Sequence, residues 1–305
     1  MGMFTRRAVA MALLGAMAFM APVSGVRADP EGPAMLVKPS VVDPRIKDFD
    51  EPNVVLASPN IHAKAPLVVF LPGTGNRPTD SPVILKFIAS LGYRVIGLEY
   101  DDDPSVSAVC PRDPDPNCAG DFRGMRAYGA GPSHRVSNPP AESIDTRLAM
   151  LLAWLDAKYP GQGWGAYVKN GHPQWSLIVV SGASQGAGMA AFIAKRSLVR
   201  RVVLFSSPWD WTIAGRRPAP WLSQASATPP DRWYAEYHRR ELTASALQAA
   251  YAALAIPQAH IFVFDRDFPA WAADAGTHVD NPFHGLTVVD DRYAGEWRQM
   301  FGQAQ

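Results

Sequence analysis

Thiols are scarce in this chain of 305 residues: there are two, Cys110 and Cys118. Neither has a neighbouring histidine in sequence, so the pair makes a poor zinc site, where four ligands are usual. Charge of one sign is equally scarce. Lys plus Arg number 29 against 28 Asp plus Glu, a formal balance of +1. A protein whose main work is gripping nucleic-acid phosphates needs a strong basic surplus, so no nucleic-acid partner is expected. Beyond the N-terminal segment there is no apolar run long enough to span a bilayer. Internal repeats and low-complexity tracts are missing as well. There is no H-E-x-x-H or Walker pattern, so neither a metal nor an organic cofactor is expected. The run Asp101-Asp102-Asp103 lacks EF-hand spacing and reads as a solvated loop rather than a calcium site.

Apolar residues make up 48% of the chain and charged residues 19%, which supplies a core and argues against wholesale disorder. Prolines number 28, glycines 24 and tryptophans 9, a composition that fits an enzyme with long decorated loops better than a helical bundle. At the N-terminus, Arg6-Arg7 precedes an uncharged apolar run over 8–23, followed by Val26-Arg27-Ala28. A charged n-region, an h-region and a small-residue cleavage pattern predict a signal peptide over 1–28, with cleavage after Ala28. Arg6-Arg7 leaves Sec and twin-arginine export both open. The mature protein, 29–305, is then a single periplasmic or secreted domain with no stable membrane insertion. In such a compartment Cys110 and Cys118 are expected to close their Pro/Asp-rich loop as a disulfide.

The mature chain alternates strands and helices. Short apolar runs at 53–57, 66–71, 94–100, 176–180, 201–205 and 260–264 have strand length. Helical periodicity covers 81–91, 143–158, 185–195 and 293–301. Near-continuous apolar strands separated by helices predict a doubly wound, mostly parallel α/β sheet with helices on both faces. Three segments lack this rhythm: the cysteine-bearing loop 101–140, the Trp/Pro/Arg-rich 208–241, and 265–291 with its two histidines. Ligands bind beyond the carboxyl ends of strands in such sheets, where all three would lie.

The strongest chemical signal is Gly182-Ala183-Ser184-Gln185-Gly186, between a strand and a helix. A nucleophile on a sharp strand-to-helix turn needs small neighbours, because its backbone is strained and its flanks press on the sheet. In that context a G-x-S-x-G match is fairly specific for catalysis. Here the sequence resembles the α/β-hydrolase superfamily over most of its mature length, and the elbow is similar to that of cutinases and related esterases. A second matching element is Phe70-Leu71-Pro72-Gly73-Thr74-Gly75. The resemblance implies that the N–H groups of Thr74 and Gln185 form the oxyanion hole. It also implies a cap or lid insertion after the sixth strand, with 208–241 as the candidate.

The superfamily order of nucleophile, acid and histidine places the base near the C-terminus. His284, in the turn-rich Asn281-Pro282-Phe283-His284-Gly285, is the expected base and His278 its alternative. His62, His134, His172 and His238 have ordinary surface-loop or polar-helix contexts. For the acid, the resemblance implies Asp267, three residues past the 260–264 strand, with Asp265 and Asp210 as competitors. The expected chemistry is cleavage of a carboxylic ester, small or polymeric, through an acyl-enzyme. A peptidase or acyltransferase with the same triad, or a non-catalytic binding protein on the same fold, stays open. Trp209, Trp211, Trp221 and Trp233 could line an acyl or polymer site or simply pack a lid.

Overall fold

The computed structural model describes residues 34–57, 65–213, 215–270 and 281–304. The expected signal peptide and its cleavage point lie outside the described residues. The main sheet is built from β1 (Met35–Val37), β2 (Asn53–Leu56), β3 (Leu67–Leu71), β4 (Arg94–Gly97), β5 (Ile178–Ala183), β6 (Arg201–Phe205), β7 (Trp233–His238) and β8 (Ile261–Phe264). Its spatial order is β1-β2-β4-β3-β5-β6-β7-β8, and β2 alone runs antiparallel to both of its neighbours. The doubly wound, mostly parallel sheet expected from the alternating pattern is the sheet observed.

Both faces are covered, and β3 shows why its sequence has no polar alternation. Leu67, Val69 and Leu71 point into one apolar layer while Val68 and Phe70 point into the other. The first layer is closed by α2 (Cys118–Tyr128), α3 (Ile144–Lys158), α4 (Gln185–Arg196) and α5 (Ala244–Ala253), through Phe122, Leu148, Ala190 and Tyr251. The second is closed by α1 (Pro82–Ser90) and α6 (Ala294–Phe301), through Leu85, Ile88, Trp297 and Phe301. The Ser143 hydroxyl caps α3 by accepting the Thr146 N–H at 3.2 Å. Among the described residues no helix is long and apolar enough to cross a membrane.

Two segments differ from expectation. The stretch 101–140, expected as one long loop, contains α2. Two glycines, Gly120 and Gly124, hide this helix from a propensity reading. Gly120 is needed small, since a Cβ there would sit 3.3 Å from Trp221. The Cys110–Cys118 disulfide is formed and ties the first residue of α2 to the preceding turn. The stretch 208–241, expected as a cap, ends in β7, a strand inside the main sheet between β6 and β8. What remains between β6 and β7 is a short hairpin of two-residue strands and single helical turns packed on α2 and α5. Trp221 and Trp233 belong to the core.

Candidate active site

The nucleophile candidate sits on a strained turn. Ser184 has φ 51° and ψ −121°, between the last residue of β5 and the first of α4. A non-glycine residue holds such a conformation only when its surroundings over-determine it. Here the Ser184 N–H is bonded to the Phe205 carbonyl on β6 at 2.9 Å, and the Ser184 carbonyl accepts the Gly188 N–H at 3.1 Å. The flanking glycines are required by space. A Cβ on Gly186 would lie 2.0 Å from the Leu71 carbonyl oxygen, and one on Gly182 would lie 2.5 Å from the Gly186 carbonyl carbon. This close approach presses the elbow against the end of β3.

The loop after β3 reaches the same spot. Gly73 faces Ser184, so a Cβ there would be 3.1 Å from the serine Cβ. The Asn76 N–H closes a turn onto the Gly73 carbonyl at 3.0 Å, and the buried Tyr100 hydroxyl donates to the Pro72 carbonyl at 3.0 Å. These contacts hold the loop while leaving the amides of Thr74 and Gln185 without a hydrogen-bond acceptor among the described residues. Asp102 lies beneath the loop, where burial pushes its carboxyl up to about 7 against the opposing pull of the Gly75 amide. The aspartate run is not a solvated loop throughout: Asp102 is buried, and Asp101 pairs with Arg126. No cluster able to hold a metal ion occurs among the described residues.

His284 lies on the short helix Pro282–Leu286, and its Nδ1 is 2.8 Å from Oε2 of Glu241. Glu241 is three residues past the end of β7. Its carboxylate is fully shielded from solvent and fully engaged. Oε1 accepts the Ser206 hydroxyl at 2.6 Å and the His238 N–H at 2.8 Å, while Oε2 also accepts the Thr243 hydroxyl at 3.2 Å. Burial alone would raise this carboxyl. The hydrogen bond and charge of His284, with Ser206 and the His238 amide, outweigh it and hold Glu241 below the ordinary carboxylate range. A carboxylate fixed in this way selects the tautomer with the proton on Nδ1 and leaves Nε2 as the base. Ser206 directly follows Phe205, whose carbonyl holds the elbow amide, so the Glu241–His284 pair is anchored one strand away from Ser184. Ser184 Oγ itself makes no hydrogen bond among the described residues, and catalytic hydrogen bonds are often long in unliganded enzymes.

The aspartates considered from sequence lie elsewhere. The side chain of Asp267 is 93% exposed and pairs with Arg240 at 2.9 Å. Asp265 is exposed and faces Arg239 at 3.5 Å. Asp210 is buried near Ser184, but its oxygens are taken by Arg123 at 2.6 and 2.7 Å and by the Trp221 indole N–H at 2.8 Å. None of the three contacts His284. His278 lies outside the described residues. Glu241 was missed because β7 was not read as a strand. His238 is a core histidine, stacked on Phe283 and kept neutral by burial first. Its Nε2 faces the Arg266 carbonyl, and its Nδ1 accepts the Arg240 N–H.

A cavity of about 20 Å³ opens beside Ser184, lined by Ser105, Ser107, Arg123, Ser207 and Trp209. A far larger cleft of about 510 Å³ lies at the opposite ends of the strands, among Tyr93, Arg200, Arg201 and Arg232, away from the elbow.

The mostly parallel sheet with its single antiparallel second strand, and the strained serine between β5 and α4, are an α/β arrangement that fits the resemblance to the α/β-hydrolase superfamily. No family model and no curated protein matches the chain. Among solved structures it is similar to a putative dienelactone hydrolase from Klebsiella pneumoniae, at 12% identity over 89% of this chain and 98% of that one, with a TM-score of 0.44. It is also similar to a thermophilic esterase from Thermogutta terrifontis, at 12% identity over 89% and 93% of the two chains, with a TM-score of 0.46. A bacterial heroin esterase is 15% identical over 88% and 83%, with a TM-score of 0.43.

Proposed function

We propose that this protein is an exported serine hydrolase that cleaves a carboxylic ester through the triad Ser184, His284 and Glu241. The observation that carries this reading is the strained Ser184 at the carboxyl end of β5, at the same end of the sheet as a histidine whose Nδ1 is held by a buried carboxylate. Ser184 Oγ attacks the ester carbonyl carbon as Nε2 of His284 takes its proton. Glu241 holds the imidazole and stabilises the imidazolium. The oxyanion is received by the N–H groups of Thr74 and Gln185, an effect worth about 3 kcal/mol per donor. Collapse of the tetrahedral intermediate expels the alcohol, which takes the proton from Nε2. Water, deprotonated by the same nitrogen, then cleaves the acyl-enzyme and restores the serine.

The small polar cavity beside Ser184 favours a short acyl group on a small-molecule ester over a long fatty chain. Export rests on the 1–28 pattern and is consistent with the Cys110–Cys118 disulfide, a bond that persists in oxidising compartments. The test is labelling by a fluorophosphonate together with turnover of p-nitrophenyl acetate. Both are expected in the wild-type protein, and neither in a folded Ser184→Ala variant. Undiminished turnover by that variant would remove Ser184 from the mechanism.

A further inference from the structure

A second carboxyl group, Glu236, stands behind the proposed triad. It lies on β7 with no solvent exposure. Its Oε1 is 3.4 Å from Ser206 Oγ, the hydroxyl that donates to Glu241 at 2.6 Å. A hydroxyl has one proton and two lone pairs. The Ser206 proton is committed to the shorter contact, so a hydrogen bond between Ser206 and Glu236 must run the other way, with Glu236 as donor. Only a protonated carboxyl group can donate. No lysine, arginine or histidine contacts Glu236 among the described residues. Its Oε2 has no partner there, which a neutral carbonyl oxygen tolerates far better than half of an ion.

We propose that Glu236 is a positioning residue of this site: a neutral carboxylic acid that holds the Ser206 hydroxyl toward Glu241 and so fixes the carboxylate that orients His284. The proposal rests on the ester-hydrolase reading for its catalytic consequence, though not for the proton it assigns. Hydrogen bonds then run in one direction, from Glu236 to Ser206 Oγ and from Ser206 to Oε1 of Glu241, while the imidazole donates to Oε2 from the other side.

The surrounding groups fit this assignment. Glu241, on the turn after β7, is the charged neighbour. Tyr251 of α5 donates its hydroxyl to the Glu236 main-chain carbonyl at 2.7 Å and leaves the carboxyl alone. Thr287, beyond the short helix, and Ser206, after β6, contribute neutral hydroxyls 3.4 Å apart. Burial, followed by the negative charge of Glu241, pushes the Glu236 carboxyl well above the ordinary range, outweighing the opposing pull of the Thr287 hydroxyl and of the Ser206 amide and hydroxyl. Two carboxylates around one hydroxyl cannot both stay ionised in a site without a cation between them.

The experiment compares the full-length mature protein with E236Q and E236L. The pH profile of kcat/KM is followed on p-nitrophenyl acetate. The Nδ1 proton of His284 is followed by NMR, and the carbonyl stretch of a protonated acid at neutral pH by infrared difference spectroscopy. The amide of Gln donates as the neutral acid does, so E236Q should keep its rate within about threefold, the size of ordinary non-additivity. Its acid limb should not move, and the wild-type-minus-E236Q difference spectrum should show the protonated-acid band of Glu236, with those of Glu99 and Asp102 cancelling. E236L removes the donor and should lose about a hundredfold in kcat with little change in KM, as misplacement by an ångström typically does. It should also shift or broaden the Nδ1 resonance.

A shift of the E236Q acid limb by about one unit, the effect of deleting a nearby charge, would show Glu236 to be ionised and overturn the proposal. So would a wild-type-minus-E236Q difference spectrum without a protonated-acid band, or a folded E236L with wild-type rate and resonance. If E236L does not fold, the E236Q profile and the infrared band decide alone. If Ser184→Ala retains full turnover, the hydrolase reading fails. The infrared band and the Nδ1 resonance need no substrate and still decide the protonation of Glu236.

Discussion

Oε2 of Glu241 and Nδ1 of His284 lie 2.8 Å apart although 43 residues separate them in the chain. Each belongs to a connection at the carboxyl end of the sheet, Glu241 after β7 and His284 after β8. Asn281 ties the two connections together, its side-chain oxygen accepting the Leu242 N–H at 3.0 Å and its carbonyl accepting the His284 N–H at 3.1 Å. The carboxylate is saturated with donors before any substrate arrives, so the imidazole has one orientation to adopt. Preorganisation of this kind is what an acid–base pair needs.

The elbow glycines tolerate no side chain. Gly186→Ala places a methyl group 2.0 Å from the Leu71 carbonyl oxygen, backbone against which nothing can yield cheaply. We expect this variant to lose stability by more than about 3 kcal/mol, or to accumulate unfolded, because overpacking against fixed groups costs 1–3 kcal/mol even where side chains can move. Urea denaturation measures it. A midpoint equal to that of the wild type would mean that the elbow is not as tightly seated as described.

Asp210 is a structural carboxylate. Asp210→Asn leaves the buried Arg123 guanidinium without its partner, beside Gly188 and 3.5 Å from the Gln185 carbonyl. Breaking one side of a buried pair typically costs about 3–5 kcal/mol. The expected result is a large fall in unfolding free energy, with catalysis largely retained in the fraction that stays folded. Normal stability combined with abolished turnover would instead make Asp210 part of the chemistry.

Stability should fall as the solution becomes alkaline. Burial, followed by the charge of Asp102, pushes Glu99 up to about 8, and burial pushes Asp102 up to about 7. Both groups bind protons more tightly in the folded chain than in the unfolded one. Their contribution is therefore complete below the ordinary carboxylate range and is lost as the pH rises to about 8. Urea midpoints at pH 5 and pH 8 should differ in that direction, and Glu99→Gln should flatten the difference. A midpoint that rises over this interval in the wild type, with Glu99→Gln inert, would contradict it.

The Cys110–Cys118 bond closes a loop of sequence separation 8. In the chain-entropy view a loop of that size stabilises by about 2–3 kcal/mol. Replacing both cysteines by serine should lower the denaturation midpoint accordingly, while the elbow, held by its own contacts with β3 and β6, keeps its reactivity toward a fluorophosphonate. Intact mass before and after reduction gives the bond itself, and two freely alkylated thiols in exported protein would refute it.

Much of this architecture was legible in the residues, and the part that was not has a physical cause. The buried strand β3 is an uninterrupted apolar run, β5 and β6 carry the apolar runs 178–180 and 202–205, and the elbow announces itself through Gly182 and Gly186, whose smallness is dictated by contact. β7 has no such signature. Its sequence Trp-Tyr-Ala-Glu-Tyr-His carries Glu236 and His238 at positions that are fully buried. Polar residues inside a parallel sheet are rare, and these are accommodated by hydrogen bonds from distant segments that no local pattern reveals. Losing β7 displaced the search for the acid by one strand, from Glu241 to Asp267. The remaining signal lay in the nucleophile–acid–histidine order, which admits glutamate as well as aspartate.

The central claim is that Glu241, rather than an aspartate, is the carboxylate behind His284, and one comparison tests it most directly. Initial rates of p-nitrophenyl acetate cleavage are measured for Glu241→Gln, Asp267→Asn and Asp265→Asn, with circular dichroism as the control for folding. Glu241→Gln should remain folded and lose roughly 10³–10⁴-fold in kcat, because the imidazole loses its tautomer and its charge partner. Asp267→Asn and Asp265→Asn remove exposed carboxylates paired only with surface arginines and should stay within about twofold of wild type. A folded Glu241→Gln with near wild-type rate, alongside an inactive Asp267→Asn, would contradict the account.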